Sequence, residues 1–137
     1  MEYRIIFYHK HSTSARTRFM LFNEQSVCYP CPFPKLAQLC DEQSDNTVLH
    51  PAAILKQIEA EWGLDPDTLK AEGEYQHRVD VPGEEIQIIL ASIETINPPF
   101  EVAEGAGAKF IDLTQARQLP KVELELLRFA YEFVLGG

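Results

Sequence analysis

Apolar and polar residues fall along this chain in blocks whose period changes, and the changes mark the elements. Residues 3–8 and 18–22 carry short, nearly continuous apolar runs, and they read as two strands around the turn His11-Ser12-Thr13-Ser14. The pattern is then lost: residues 28–50 hold Pro30, Pro32 and Pro34, three cysteines and an Asp/Ser/Asn cluster, which predicts a long loop. Helical spacing takes over at Pro51, a first-turn residue by preference, where Ala53 or Ile54, Ile58 and Trp62 recur three or four residues apart before Gly63 ends the run. Residues 74–81 and 85–95 flank Pro82-Gly83 and predict a hairpin whose second arm, Ile86-Gln87-Ile88-Ile89-Leu90, is largely buried. Residues 97–107 read as an irregular loop containing Glu101 and Glu104, residues 109–113 as a strand, and residues 122–135 as a helix with Val122, Leu126, Phe129 and Phe133 on one face. The mixture predicts an α/β fold, in one domain spanning residues 1–137.

Composition narrows the classes. No apolar run approaches the eighteen or so residues of a membrane span, and Met1-Glu2-Tyr3-Arg4-Ile5 lacks the basic start of a secretory signal, so a cytoplasmic protein without membrane contact is expected. Three cysteines, an odd number, suit reduced thiols better than a disulfide framework. The net charge of −9 is uneven: residues 1–35 hold five Lys/Arg against two Glu, and the remainder is strongly acidic. That balance argues against bulk nucleic-acid binding, while Arg4, Lys10, Arg16, Arg18 and Lys35 are either scattered solvated charge or a small anion pocket.

Four segments, in order, resemble the Nudix hydrolase family along nearly the whole chain. Phe33-Pro34-Lys35 is similar to the Phe-Pro-Lys preceding the Nudix box. Ala52-Ala53 with residues 56–64 follows the frame of its Arg-Glu-U-x-Glu-Glu-x-Gly-U helix, where U is aliphatic. Ile88-Ile89-Leu90-Ala91 resembles the central strand, and Phe110-Ile111-Asp112-Leu113-Thr114-Gln115-Ala116 resembles the later strand-to-helix passage. The resemblance implies a Nudix-like α/β/α sandwich around a mixed sheet, with magnesium held by the box helix against a diphosphate.

The box is degenerate. Its Arg is Lys56, its next Glu is Gln57, the first Glu of the pair is Ala60, and only the second remains, as Glu61. Leu36 stands where the box expects Gly, and the spacing to the helix places an insertion in the cysteine-bearing loop 28–50. Because helical residues turn by about 100°, positions 57, 60 and 61 share a face while Glu59 points roughly opposite to Gln57. One formal charge remains where the family uses three, so magnesium held by this helix alone is expected to be weak. Glu94, Glu101 or Glu104 after the central strand, with Asp41, Glu42 and Asp45 in the insertion, offer a relocated acidic centre; solvated loop carboxylates are the alternative.

Two functional expectations follow. The first is a Nudix-fold module with impaired catalysis at Gln57 and Glu61, binding a nucleotide or other phosphorylated small molecule through Arg4, Arg18 and Lys35, or engaging a protein partner or a second copy of itself. The second is a magnesium-dependent hydrolase of nucleoside diphosphate derivatives, with Glu61, Glu101 and Glu104 as ligands. Separately, Cys28-Tyr29-Pro30-Cys31 with Cys40 and His50 forms a candidate zinc set, although its spacing matches no common zinc finger; small apolar side chains under a loop are the competing reading.

Overall fold

The computed structural model describes residues 2–34, 36–39 and 50–136. Its strands are β1 (Glu2–Lys10), β2 (Thr17–Phe22), β3 (Gln38–Leu39), β4 (Leu69–Ala71), β5 (His77–Val81), β6 (Glu84–Ile93) and β7 (Ala108–Ile111), and its helices are α1 (Pro51–Trp62), α2 (Phe100–Gly105) and α3 (Lys121–Gly136). A single 3-10 turn, Leu113–Ala116, leads into α3.

All seven strands form one mixed sheet in the order β3-β5-β6-β1-β2-β7. Among the described strands only β1 and β6 run parallel, Glu2 to Tyr8 lying opposite Ile86 to Ser92. Both are covered on both sides, which is why their apolar residues run together: Ile5, Ile6 and Phe7 are consecutive and fully buried. The ten-residue β6 is longer than either partner on its other edge, so β5 pairs with its first half and β4 with its second. The side chains divide into two cores. Ile6, Tyr8, Phe19, Leu21, Ile88 and Leu90 face α3, whereas Ile5, Phe7, Met20, Ile89 and Ile93 face α1 and α2. The protein is thus α/β, as the alternating pattern predicts.

The predicted α1 matches the observed one, and Gly63 closes it in the left-handed region at φ 71° with its N–H directed to Ala60. Four elements depart from expectation. Residues 97–107 are not wholly irregular but contain α2, too short for periodicity to register, with Pro98-Pro99 leading into its first turn. Residues 28–50 contain β3, and β4 lies where no strand was read. On α3 the buried residues are Glu123, Leu126, Leu127, Ala130 and Val134, while Phe129 is 37 % exposed. Val122, Leu126 and Phe133 of the expected stripe pack on the core, so the departure is at Phe129, with Glu123 drawn inward beside them. Its Oε2 accepts the Ser26 hydroxyl at 2.9 Å and its Oε1 accepts the Val27 N–H at 3.0 Å.

Candidate functional site

The groove between α1 and α2 grows out of the packing of Trp62. Its ring lies 5.0 Å from Phe7 and 5.4 Å, edge-on, from Tyr29, with Phe22 at 6.4 Å. This aromatic cluster anchors the C-terminal turn of α1 on the sheet and fixes which side of the helix faces outward. Leu55, Ile58 and Glu59 go in; Gln57, Ala60 and Glu61 stay out. Across from them, Ala103 is buried and seats α2, which packs against β7. Its first turn then presents Glu101 to the same opening. The resulting cleft, about 440 Å³, is lined by Glu61, Trp62, Glu101, Val102, Gly105 and Ala106. The close approach of α2's end to the β2 turn requires glycine at 107: its φ is 76°, its carbonyl accepts the Asn23 N–H at 2.7 Å, and a Cβ there would meet Asn23 Oδ1 at 3.0 Å.

The cleft is acidic on both walls. Gln57 Nε2 lies 3.4 Å from Glu61 Oε1, a long contact in which the amide donates to the carboxylate. The Tyr29 phenol is pushed above its usual range, first by burial and then by the Glu61 charge and Tyr3. Glu59, only 5 % exposed, belongs to the opposite side of α1, where its Oε2 accepts the Leu69 N–H at 2.8 Å and ties the helix to β4. That is the orientation helix geometry gives it, and it leaves no role for Glu59 in the cleft.

The remaining candidates are dispersed. Glu104 is exposed on α2 and does not line the cleft, and Glu94 accepts the Ser92 hydroxyl at 3.2 Å. Arg4 is buried as a structural cation, donating to the carbonyls of Tyr3 at 2.8 Å and Pro32 at 3.3 Å, with the Phe33 ring 5.8 Å below it. Arg18 stands opposite His9 in the β1–β2 ladder, five residues along β1 from Arg4, or about 16 Å. Arg16 is engaged by Asp112, and Lys10 reaches the Val134 carbonyl at 3.5 Å. These cations do not gather into one anion pocket. Lys35, Cys40, Asp41, Glu42 and Asp45 lie outside the described residues. Cys28 is buried in the α3-side core, where burial raises its thiol pKa well above the ordinary value, while Cys31 is exposed and His50 precedes α1 on the other side of the sheet. Among the described residues no group of three His, Cys, Asp or Glu side chains is gathered in a form that suits a metal ion.

Several buried polar groups escape sequence reasoning because nothing in their spacing marks them. Tyr8 donates to Glu72 Oε1 at 2.6 Å, and burial followed by that contact raises its phenol pKa strongly. His9 is fully buried; its Nε2 donates to the Thr95 carbonyl at 2.8 Å, and its Nδ1 has no hydrogen-bond partner among the described residues.

No protein-family model matches this chain, and none of the curated proteins compared with it is a significant match. Among the described residues no helix is long and apolar enough to cross a membrane.

Proposed function

We propose that the chain is a Nudix-like binding module that does not hydrolyse its ligand, and that the α1–α2 cleft is its binding site. The observation that carries this reading is that α1 gives the cleft one carboxylate, Glu61, while its exposed neighbours Gln57 and Ala60 carry an amide and a methyl group where acids would be needed. With Glu101 the cleft has two carboxylates, and both act as acceptors only. An anionic phosphate is repelled by such walls unless a cation lies between. Magnesium commonly takes one or two carboxylates and completes its shell with water and phosphate oxygens. Glu61 and Glu101 therefore suit a hydrated cation that arrives with a phosphorylated ligand, and Trp62 offers an apolar wall beside it. Such a cation would supply charge neutralisation here; among the described residues Glu61 and Glu101 are the two carboxylates that line the cleft. The module acts on this reading as a cytoplasmic regulatory or ligand-sensing domain.

The relocated-hydrolase reading has one observation in its favour, which is that Glu101 shares the cleft with Glu61. A panel of nucleoside diphosphate derivatives separates the two. We expect a thermal shift that requires both nucleotide and magnesium, is lost in Glu61→Gln and Glu101→Gln, and is accompanied by no phosphate release. Turnover that Glu61→Gln abolishes would establish the hydrolase instead.

A further inference from the structure

Helix α3 has an outer side whose charges are misplaced for a helix standing alone. Lys121, Glu125, Arg128 and Glu132 follow one another at intervals of four, three and four residues, which puts them on one ridge, opposite the buried Glu123, Leu126, Leu127 and Ala130. Lys121 sits at the positive end of the helix dipole and Glu132 near the negative end, the unfavourable arrangement in each case. The four-residue pairs within the ridge run Lys before Glu and Arg before Glu, the weaker order for support along one helix. Among the described residues none of the four forms an ion pair within 4 Å, although Arg16–Asp112, Arg78–Glu85 and Lys109–Glu24 do.

The same ridge is self-complementary when reversed. Lys121 and Glu132 are equidistant from the midpoint between Leu126 and Leu127, and so are Glu125 and Arg128. We propose that α3 packs antiparallel against α3 of a second copy of this chain, about a two-fold axis through that midpoint. Each Lys121 then meets Glu132 of the second copy and each Glu125 meets its Arg128, four ion pairs in all by symmetry. Glu132 of one helix is brought beside the first turn of the other, the end where the dipole favours an acid. The axis also sets Leu124 beside its own counterpart on one flank and Phe129 beside its own on the other. Phe129 is already held in place, stacked on His77 with ring centroids 4.7 Å apart and planes 13° from parallel. Two shallow depressions receive the opposing side chains: one of about 370 Å³ lined by Lys121, Leu124, Glu125, Arg128 and Phe129, and one of about 280 Å³ lined by Leu113, Arg117, Leu124 and Arg128.

One pair of sixteen-residue helices is a small interface, so the dimer is weak, with a Kd on the order of 10–100 µM at low salt. Sedimentation from about 1 µM to about 500 µM reads this directly. The wild-type chain is expected to pass from monomer to dimer across that range, and to shift back toward monomer in about 0.5 M salt. Glu125→Arg and Arg128→Glu each place like charges across the axis, and each alone stays monomeric. Mixed together, they restore both pairs and form a heterodimer, and the double variant carrying both changes dimerises with itself. Lys121→Glu and Glu132→Lys repeat the test at the outer pair, so a folding defect in one variant leaves the other set to decide. A wild-type monomer throughout, a dimer indifferent to the single changes, or a mixture of folded variants that stays monomeric would overturn the proposal.

Discussion

The two sides of the sheet are finished in different ways. Under α3 the buried polar groups are answered among the described residues: Glu123 takes the Ser26 hydroxyl and the Val27 N–H, the Ser26 oxygen in turn accepts the Cys28 N–H at 3.0 Å, and Tyr75 donates to the Leu126 carbonyl at 2.9 Å. Under α1 and α2 the inner seam is answered at Glu59 and left open at His9, and the outer seam is a cleft with carboxylates on both walls. The α3 side locks the β2–β3 connection to the sheet, and its unfinished surface is the outer ridge of the helix. The α1–α2 side leaves its unfinished surface between elements, as the cleft that Glu61 and Glu101 line. One sheet thus separates the face proposed for association from the face proposed for binding.

The sharpest way to break that contrast is to cut the lock. Glu123→Ala removes an acceptor from two buried donors, the Ser26 hydroxyl and the Val27 N–H, and leaves a void beside them. A loss of about 3 kcal/mol is expected, read as a lowered urea midpoint with an unchanged slope. Glu123→Gln keeps the shape and one acceptor oxygen and should lose clearly less. A loss of less than about 1 kcal/mol in Glu123→Ala would mean that the carboxylate is tolerated there rather than used. Burial holds the Glu123 carboxyl above its usual range, against the lowering contributed by its two hydrogen bonds.

Much of this arrangement is legible in the chain, and the illegible part has a physical pattern. The strands of residues 3–8, 18–22 and 86–90 are read correctly because they are buried on both sides, and helix α1 because proline and glycine bracket it. On α3 the stripe Val122, Leu126 and Phe133 does pack on the core and only Phe129 is left largely outside, while the buried Glu123, held by hydrogen bonds to the β2–β3 connection, carries no apolar signal. Helix α2 is missed for its length and β4 for its three residues, and with them goes half of the cleft. Glu61 and Glu101, forty residues apart, share an opening only because α1 and α2 lie on the same side of the sheet. That fact belongs to topology, and local pattern does not carry it.

A smaller effect sharpens the contrast within α1. Glu59 and Glu61 are two residues apart with the same side chain, yet one is a structural acceptor and the other faces the cleft. Glu59→Ala leaves the Leu69 N–H without its partner and should cost about 2 kcal/mol. Glu61→Ala should change stability by no more than about 0.5 kcal/mol while removing the magnesium-dependent thermal shift expected with nucleotide. If Glu61→Ala proved as destabilising as Glu59→Ala, the cleft would be packing surface and the binding assignment would fall.

The smallest expected effect is a slope against pH, and it tests the open inner seam. His9 is held below its ordinary pKa, chiefly by burial, with Arg18 and His11 lowering it further, against the raising influence of the Thr95 carbonyl and Glu94. Its Nε2 already donates to Thr95, so a second proton would have to go on Nδ1, where no acceptor waits among the described residues. The unfolded chain therefore binds more protons than the folded one below the unfolded pKa of about 6.5. Stability is present in full above that pH and declines as pH falls through and below it toward the folded value. His77, also lowered by burial, acts in the same direction. His9→Gln keeps a donor for the Thr95 carbonyl and cannot titrate, so its thermal midpoint should fall less steeply than the wild type's between about pH 7 and about pH 5, the remainder being carried by His77. Two parallel curves would mean that His9 is protonated in the folded state with an acceptor at Nδ1, and the seam on the α1–α2 side would then be closed as fully as the one beneath α3.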